Sequence, residues 1–162
     1  MIKRPKIFFL PILLLVCFAI NSCKKNDLVS IKDFLTRQPW KLALKQRLAY
    51  VNNALVKTDT LESNCKLSQT LNFNNNGKYT YQNYSCANGS LNSAWSFTPD
   101  YLYLNLNSVI SVTTATANNP SKQNVARIIN LGQYSLIFDA GDINTIHKIT
   151  DSVIVFRYGF IH

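Results

Sequence analysis

The chain contains few of the residues on which catalysis and metal binding depend. Histidine occurs only at His147, which has no carboxylate at a suggestive local spacing, and at the last position, His162. No serine lies in a G-x-S-x-G pattern, and no glycine-rich phosphate loop is present. Asp139 and Asp142 offer too few ligands for calcium and predict a solvated turn. We therefore expect no enzyme, no metal site and no cofactor; only a cleft joining His147 to two acids would favour an enzyme.

The chain also lacks an apolar run long enough to cross a membrane. The longest run, residues 7–20, covers 14 residues; as a helix it would span about 21 Å, whereas a bilayer core needs roughly 20 residues. The run follows the basic residues Lys3, Arg4 and Lys6, which is the order of a secretory signal peptide. Its ending, Ile20-Asn21-Ser22-Cys23, resembles the lipobox of bacterial lipoproteins.

This resemblance to lipoproteins implies where the protein is located. Residues 1–22 would be the signal peptide, Cys23 would carry the acyl chains, such as palmitate, and residues 23–29 would be a tether at the membrane surface. More than one acyl chain anchors a protein stably. We therefore expect a protein held in the cell envelope by lipid, in the outer membrane of a Gram-negative bacterium. The alternative is ordinary cleavage near Cys23, which releases a soluble product.

Acidic residues are scarce, but the basic residues do not form a dense cluster. Without the leader, 140 residues remain, with 14 Lys and Arg against 8 Asp and Glu, a net charge of +6. This length suits one domain with a core of its own. A nucleic-acid partner would require a concentrated basic stripe, so we expect none. Anionic lipid or envelope polysaccharide is the more reasonable partner for this charge.

The four cysteines separate by position. Cys17 lies in the leader, Cys23 is the expected lipid attachment site, and Cys65 and Cys86 remain in the mature chain. In an exported protein these two residues predict a disulfide, which would stabilise the fold by roughly 3 kcal/mol. Zinc binding is the alternative, but two cysteines 21 positions apart with no nearby histidine make a poor zinc site.

The spacing of apolar residues predicts an all-β protein after one short helix. Ser30 and Asp33 have the spacing of a helix capping box, so we expect a helix over residues 30–37 that Pro39 ends. Beyond it, alternating apolar residues and turn signals, such as Asn76-Gly77, predict about nine short strands in a barrel or sandwich. The predicted strands span residues 40–45, 67–73, 78–84, 91–97, 101–106, 109–114, 124–131, 134–138 and 152–158. Residues 113–123 are a predicted loop, and residues 139–151 are either another loop or an irregular hairpin.

The order of these features resembles the small lipocalin-like domains of bacterial lipoproteins. The residues that carry the likeness are the segment 35–40 with its strand-opening tryptophan, Cys65, the segments 71–73 and 76–79, Cys86, Trp95, the alternating Leu102, Leu104 and Leu106, and the segment 128–136. The resemblance covers most of residues 30–160. It implies an up-and-down antiparallel barrel of about eight strands over residues 30–162, with room for one small ligand.

One residue departs from the pattern of lipocalins, and another has two interpretations. Gln38 stands where lipocalins place glycine, two residues before the tryptophan. Lipocalins also stack a late-strand basic residue on that tryptophan; Arg157 would stack on Trp40, and the alternative is that Arg157 faces water.

Aromatic residues provide the candidate ligand site. Trp40, Phe73, Trp95 and Phe97 would supply inner apolar surface, and Tyr79, Tyr81, Tyr101 and Tyr103 would line a cavity or an outer face. Tyrosine also suits half-buried strands that bind nothing. We predict a lipid-anchored barrel that binds a small apolar or amphipathic ligand. The alternative is a module with a packed core that binds an envelope protein or polysaccharide.

Overall fold

Nine strands and one α-helix make up the described part of the chain, which comprises residues 25–62, 64–107, 124–143 and 152–162 in a computed structural model. The described residues also include a 3₁₀ turn, Tyr84–Cys86. In chain order the elements are α1 (Lys25–Thr36), β1 (Trp40–Val51), β2 (Ala54–Thr60), β3 (Thr70–Phe73), β4 (Lys78–Gln82), β5 (Ser90–Phe97), β6 (Tyr103–Leu106), β7 (Val125–Leu131), β8 (Ser135–Gly141) and β9 (Ser152–Ile161).

Eight of the strands close into an antiparallel barrel. Strands β3 to β9 pair in chain order, and β1 completes the ring by pairing with β9 between Lys41 and Val51. On its other edge β1 pairs with β3 at Trp40 and Lys41, and further along with β2 from Gln46 onwards. The ninth strand, β2, therefore lies on the same edge of β1 as β3, but farther along β1. The predicted all-β, up-and-down barrel of about eight strands with a short N-terminal helix is confirmed.

The barrel has two ends, which we call the helix end and the hairpin end. The helix end carries α1, the start of β1, the end of β9 and the β3–β4, β5–β6 and β7–β8 turns. The hairpin end carries the β1–β2 hairpin and the β4–β5 connection. A disulfide joins Cys86 in that connection to Cys65 in the segment between β2 and β3, with 5.1 Å between their Cα atoms. The predicted pairing of these cysteines is confirmed.

Strict alternation of residue types places the core. In β3 and β4 the side chains of Leu71, Phe73, Tyr79 and Tyr81 point inward and are at most 1 % exposed, while their neighbours are polar. The turn between these strands uses Gly77 at φ 77°, a left-handed conformation that favours glycine. All eight barrel strands contribute to this one apolar cluster. Each fully buried large side chain contributes about 1.5–3 kcal/mol to folding.

Helix α1 packs at one end of the barrel and leads directly into β1. Leu35 near its end is fully buried, and its carbonyl accepts a hydrogen bond of 2.9 Å from the indole N–H of Trp40. The helix begins at Lys25, earlier than the predicted start at Ser30. Asp27 lies in the first turn, where an acidic side chain is favoured, and Ser30 lies inside the helix rather than at its start. Residues 25–29 of the predicted tether are thus helical.

Several sequence predictions lie outside the described residues. The expected strand at 109–114, the expected loop at 113–123, Cys23 and His147 are among them. Within the described residues, no helix is long and apolar enough to cross a membrane. Strand β2 and the second half of β1 were not predicted, because their apolar residues occur in runs rather than in strict alternation.

Candidate functional site

Six of the eight aromatic candidates for the ligand site, all but Tyr101 and Tyr103, separate into two groups. Trp40, Phe73, Tyr79 and Tyr81 are at most 1 % exposed and belong to the packed core. Their side chains fill the barrel, as small eight-stranded barrels often require. The other two, Trp95 and Phe97, lie near the helix end and line a cleft.

This cleft, which has a volume of about 590 Å³, opens between α1 and the end of β5. Its volume falls within the range of about 300–1,000 Å³ that is typical of small-molecule sites. Three aromatic rings and a proline give it an apolar wall, and α1 adds one charge of each sign. The lining residues are Lys32, Asp33, Asn75, Gly77, Trp95, Ser96, Phe97, Thr98, Pro99 and Tyr101.

Hydrogen bonds and ring contacts fix the aromatic wall of the cleft. The indole N–H of Trp95 donates to the carbonyls of Asn74 at 3.1 Å and Lys78 at 3.0 Å. The ring of Phe97 meets Trp95 edge-on at 5.5 Å, and Tyr101 lies 5.2 Å from Phe97. Because these donors and rings are already engaged, the wall offers a preformed apolar surface and few free polar groups.

Tyr101 holds a backbone conformation that bulky residues rarely adopt. Its φ is 59°, and such conformations cost of order 1–3 kcal/mol and occur preferentially at ligand sites. The β5–β6 turn holds it there, because the Tyr101 N–H donates to the Thr98 carbonyl at 2.9 Å. The carboxylate of Asp100 accepts from the Thr98 hydroxyl and from the Leu102 N–H, and both bonds lower the pKa of Asp100.

A polar cluster occupies the opposite part of the barrel interior. Lys45 of β1 is only 7 % exposed and forms an ion pair with Glu62, whose second oxygen accepts from the Gln69 amide at 2.7 Å. The rings of Tyr84 and Tyr158 lie 5.6 and 5.5 Å from the Lys45 ammonium. The Glu62 carboxylate and the two tyrosine rings together offset the free-energy cost of burying the Lys45 ammonium. A groove of about 240 Å³ between β1 and residues 60–69 leads to this cluster.

Two tyrosine hydroxyls are buried beside the cluster. Among the described residues, none makes a hydrogen bond to the hydroxyl of Tyr81 or of Tyr158. Burial raises the pKa of both phenols, and the nearby charge of Glu62 raises them further. These tyrosines therefore stay neutral at any physiological pH.

The described residues include one group with the spacing of metal ligands. Glu62, Cys65 and Cys86 have their candidate ligand atoms within 4.8 Å of one another. Both sulfurs are joined in the disulfide, and the Glu62 carboxylate is paired with Lys45. Only one carboxylate would remain for a cation, which is fewer ligands than zinc or calcium requires.

The two expectations for Arg157 and Asp139 were wrong. Asp139 lies in β8 rather than in a turn, is 1 % exposed, and pairs with Arg157 at 2.8 Å and Arg127 at 3.3 Å. The three residues face one another across β7, β8 and β9. Arg157 therefore neither stacks on Trp40 nor simply faces water, and its hydrogen bonds to Asp139 raise its pKa. Instead, His162 stacks on Trp40.

Sequence reasoning missed the residues whose partners are distant in the chain. The alternating pattern of its strand predicts that Lys45 faces solvent, and Glu62 lies in a segment with no apolar pattern. The only available signal for Glu62 was its position three residues before Cys65. Tyr101 was considered, but it was predicted to start a strand, and its left-handed backbone conformation was not predicted.

Comparison with known proteins does not add a family. No protein-family model and no curated protein matches this chain.

Proposed function

We propose that the protein is a lipid-anchored envelope lipoprotein whose lipocalin-like barrel binds a small apolar or amphipathic ligand at the helix end. The observation that carries this proposal is the preformed cleft lined by Trp95, Phe97 and Tyr101. Apolar walls supply affinity, and a small number of polar groups, here Lys32 and Asp33, orient the ligand. The role is binding rather than catalysis.

The cleft supports this function better than the barrel interior does. The interior contains Trp40, Phe73, Tyr79 and Tyr81, all nearly fully buried against core neighbours. Opening that space would leave unfilled volume in a close-packed core. By contrast, the cleft at Tyr101 is already formed, and the strain held there is typical of ligand clamps.

The proposed location rests on the leader, on Cys23 and on the disulfide. Disulfides persist in oxidising compartments and are rare in the cytosol. The Cys65–Cys86 disulfide therefore agrees with export, and Cys23 follows a signal-like segment directly. We place the protein in the outer membrane of a Gram-negative bacterium.

Native mass spectrometry of the full chain, purified from membranes in detergent, tests ligand binding. We expect a non-covalent adduct on the wild type, and its loss from the double variant Phe97→Ala with Tyr101→Ala. The control Tyr103→Ala removes an aromatic ring of β6 that does not line the cleft. Equal adducts on all three proteins, or none on the wild type, would refute the cleft as the ligand site.

Metabolic labelling with a clickable fatty acid tests the anchor. Cys23→Ala should abolish the label and release the protein from the membrane fraction. Cys17→Ala is the matched control, because this cysteine lies in the leader and should leave both the label and the membrane association intact. Label retained on the Cys23→Ala variant would contradict lipid attachment at Cys23.

A second function has an observation in its favour. Core side chains from all eight described barrel strands fill the apolar interior, which leaves the outer surface for a protein or polysaccharide. In that case the partner would bind the outer surface, attracted by the net charge of +6 that remains without the leader. A partner whose capture is abolished by salt, together with no adduct in native mass spectra, would favour this alternative.

A further inference from the structure

Large apolar side chains are exposed at the helix end of the barrel. Tyr134, in the β7–β8 turn, is 69 % exposed, and Leu102, before β6, is 58 % exposed. Ile161 ends β9 and is 46 % exposed, and Ile129 of β7 is 44 % exposed. The Ile128 N–H donates to the Leu102 carbonyl at 2.8 Å, which places the residue before Ile129 beside Leu102. These four residues form a group that we call the apolar tips.

Basic side chains surround the same end. Lys32 and Arg37 flank the last turn of α1, Lys41 is the second residue of β1, and Lys78 is the first residue of β4. All four are exposed, and among the residues of this end whose side chains the structure describes, the exposed acids are Asp33 and Asp100. Apolar and aromatic tips inside a basic rim are the composition of surfaces that bind anionic bilayers.

Helix α1 follows Cys23 closely in the chain and packs at the helix end of the barrel. Cys23 stands two residues before the start of α1, and α1 has 12 residues, or about 18 Å of helix. The β1–β2 hairpin lies at the far end of the 12-residue strand β1, about 40 Å away along the strand. A lipid on Cys23 would therefore hold the helix end closer to the bilayer than the hairpin end.

We infer that the helix end is a membrane-docking surface, on which the apolar tips enter an anionic lipid surface while the basic rim contacts its headgroups. This inference rests on the proposed anchor at Cys23. It also deepens the proposed function, because the cleft at Trp95 and Phe97 opens at this same end. A ligand would then enter from the lipid phase, which favours an amphipathic molecule of the membrane over a water-soluble one.

The hairpin end supplies a matched comparison. Leu55 and Val56 of β2 are 52 % and 59 % exposed, so apolar exposure alone does not distinguish the two ends. The hairpin end differs because the chain from Cys23 enters at the opposite end. At the hairpin end itself, the charges of Arg47 and Lys57 are both paired with Asp59.

Site-specific fluorophores on the full chain test the docking surface. Tyr134→Cys and Val56→Cys each introduce one thiol at a similarly exposed position, since Cys65 and Cys86 are joined and Cys23 is acylated under the proposal. Each protein, labelled with an environment-sensitive dye, is reconstituted into vesicles of phosphatidylethanolamine and phosphatidylglycerol that carry a spin-labelled quencher lipid. We expect a blue shift and strong quenching at position 134, and neither change at position 56.

The possible outcomes separate the docking surface from the anchor. No quenching at 134, equal quenching at both positions, or quenching at 56 alone would overturn the inference. Intact mass first shows whether the chains carry lipid. If they do not, the anchor proposal fails by itself, and quenching of the unacylated chain, with Cys17→Ala and Cys23→Ala added so that a single free thiol remains, still decides whether the helix end docks. Leu102→Ser with Ile161→Ser should reduce the quenching at 134, whereas Leu55→Ser should not.

Discussion

The imidazole of His162 stacks on the indole of Trp40, with 3.7 Å between the ring centroids and 27° between the ring planes. His162 Nδ1 also lies 3.1 Å from the Pro39 carbonyl. The stack joins the residue after β9 to the first residue of β1, and so fastens the strand pair that closes the barrel. It occupies the face of Trp40 that the resemblance to lipocalins assigned to a late-strand basic residue.

Removing this stack should destabilise the barrel modestly. An aromatic pair contributes about 0.5–1.5 kcal/mol beyond its buried area, so His162→Ala should lower the free energy of unfolding by about 1 kcal/mol. His162→Phe keeps a ring over Trp40 and should recover most of that loss. Denaturant titration followed by tryptophan fluorescence measures both. Equal losses in the two variants would show that the ring contact contributes nothing.

Breaking the ion pair between Lys45 and Glu62 should cost more than removing it entirely. Glu62→Gln leaves the Lys45 ammonium buried without a counter-charge, for which we expect a loss of about 3–5 kcal/mol. The double variant Lys45→Met with Glu62→Leu removes both charges and should be the more stable of the two. Denaturant unfolding of the wild type and both variants, at one pH and ionic strength, makes the comparison. A double variant less stable than Glu62→Gln would contradict this account.

The buried tyrosines should make stability decline at alkaline pH. Burial raises the pKa of Tyr81 and Tyr158 above that of an unfolded tyrosine, so the folded state binds protons that the unfolded state releases. Their contribution is complete below about pH 10 and is lost above it, at about 1.4 kcal/mol per pH unit for each tyrosine.

The variant Tyr158→Phe isolates this effect. It removes a hydroxyl that has no hydrogen-bond partner among the described residues, so stability at neutral pH should be unchanged or slightly higher. The alkaline slope of the free energy of unfolding should decrease, as measured by denaturant unfolding at several pH values. In the wild type, phenolate absorbance should show two tyrosines, Tyr81 and Tyr158, that ionise only when the protein unfolds. A loss above 1 kcal/mol at neutral pH would argue against an unpartnered hydroxyl.

Local pattern was enough to predict most of the barrel strands, whereas the choice of a barrel over a sandwich came from the resemblance to lipocalin-like domains. Leu71, Phe73, Tyr79 and Tyr81 alternate with polar residues around an Asn-Gly turn, and the structure pairs these strands as predicted. The Cys65–Cys86 disulfide was predictable because only two cysteines remain after the leader and Cys23 are set aside.

The polar contacts were not predictable, because they depend on register between strands. Arg127, Asp139 and Arg157 meet only because β7, β8 and β9 align them, and no spacing in the sequence encodes that alignment. The same holds for Lys45 and Glu62. Trp40 and Phe73 could be predicted to face inward, but whether an inward ring fills the core or borders a cavity depends on the packing of all eight strands.

The disulfide should stabilise mainly the segments that hold Glu62 and Tyr84 over Lys45. Cys65 is three residues from Glu62, and Cys86 ends the 3₁₀ turn that begins at Tyr84. In the chain-entropy model, closing a loop of this length contributes roughly 3 kcal/mol. The double variant Cys65→Ser with Cys86→Ser should therefore melt at a temperature about 10 °C lower. Free-thiol titration of the wild type should find neither cysteine reactive.

Hydrogen exchange distinguishes this local role from a general weakening of the barrel. The serine variant should exchange faster at residues 61–69 and 83–89, while the amides of β8 and β9 keep their protection relative to the new global stability. Loss of the disulfide should also loosen the segment that holds the Glu62 carboxylate against the buried Lys45 ammonium. Adding Lys45→Met to the serine variant should therefore cost less stability than Lys45→Met alone. Additive losses would show that the disulfide and the ion pair act independently.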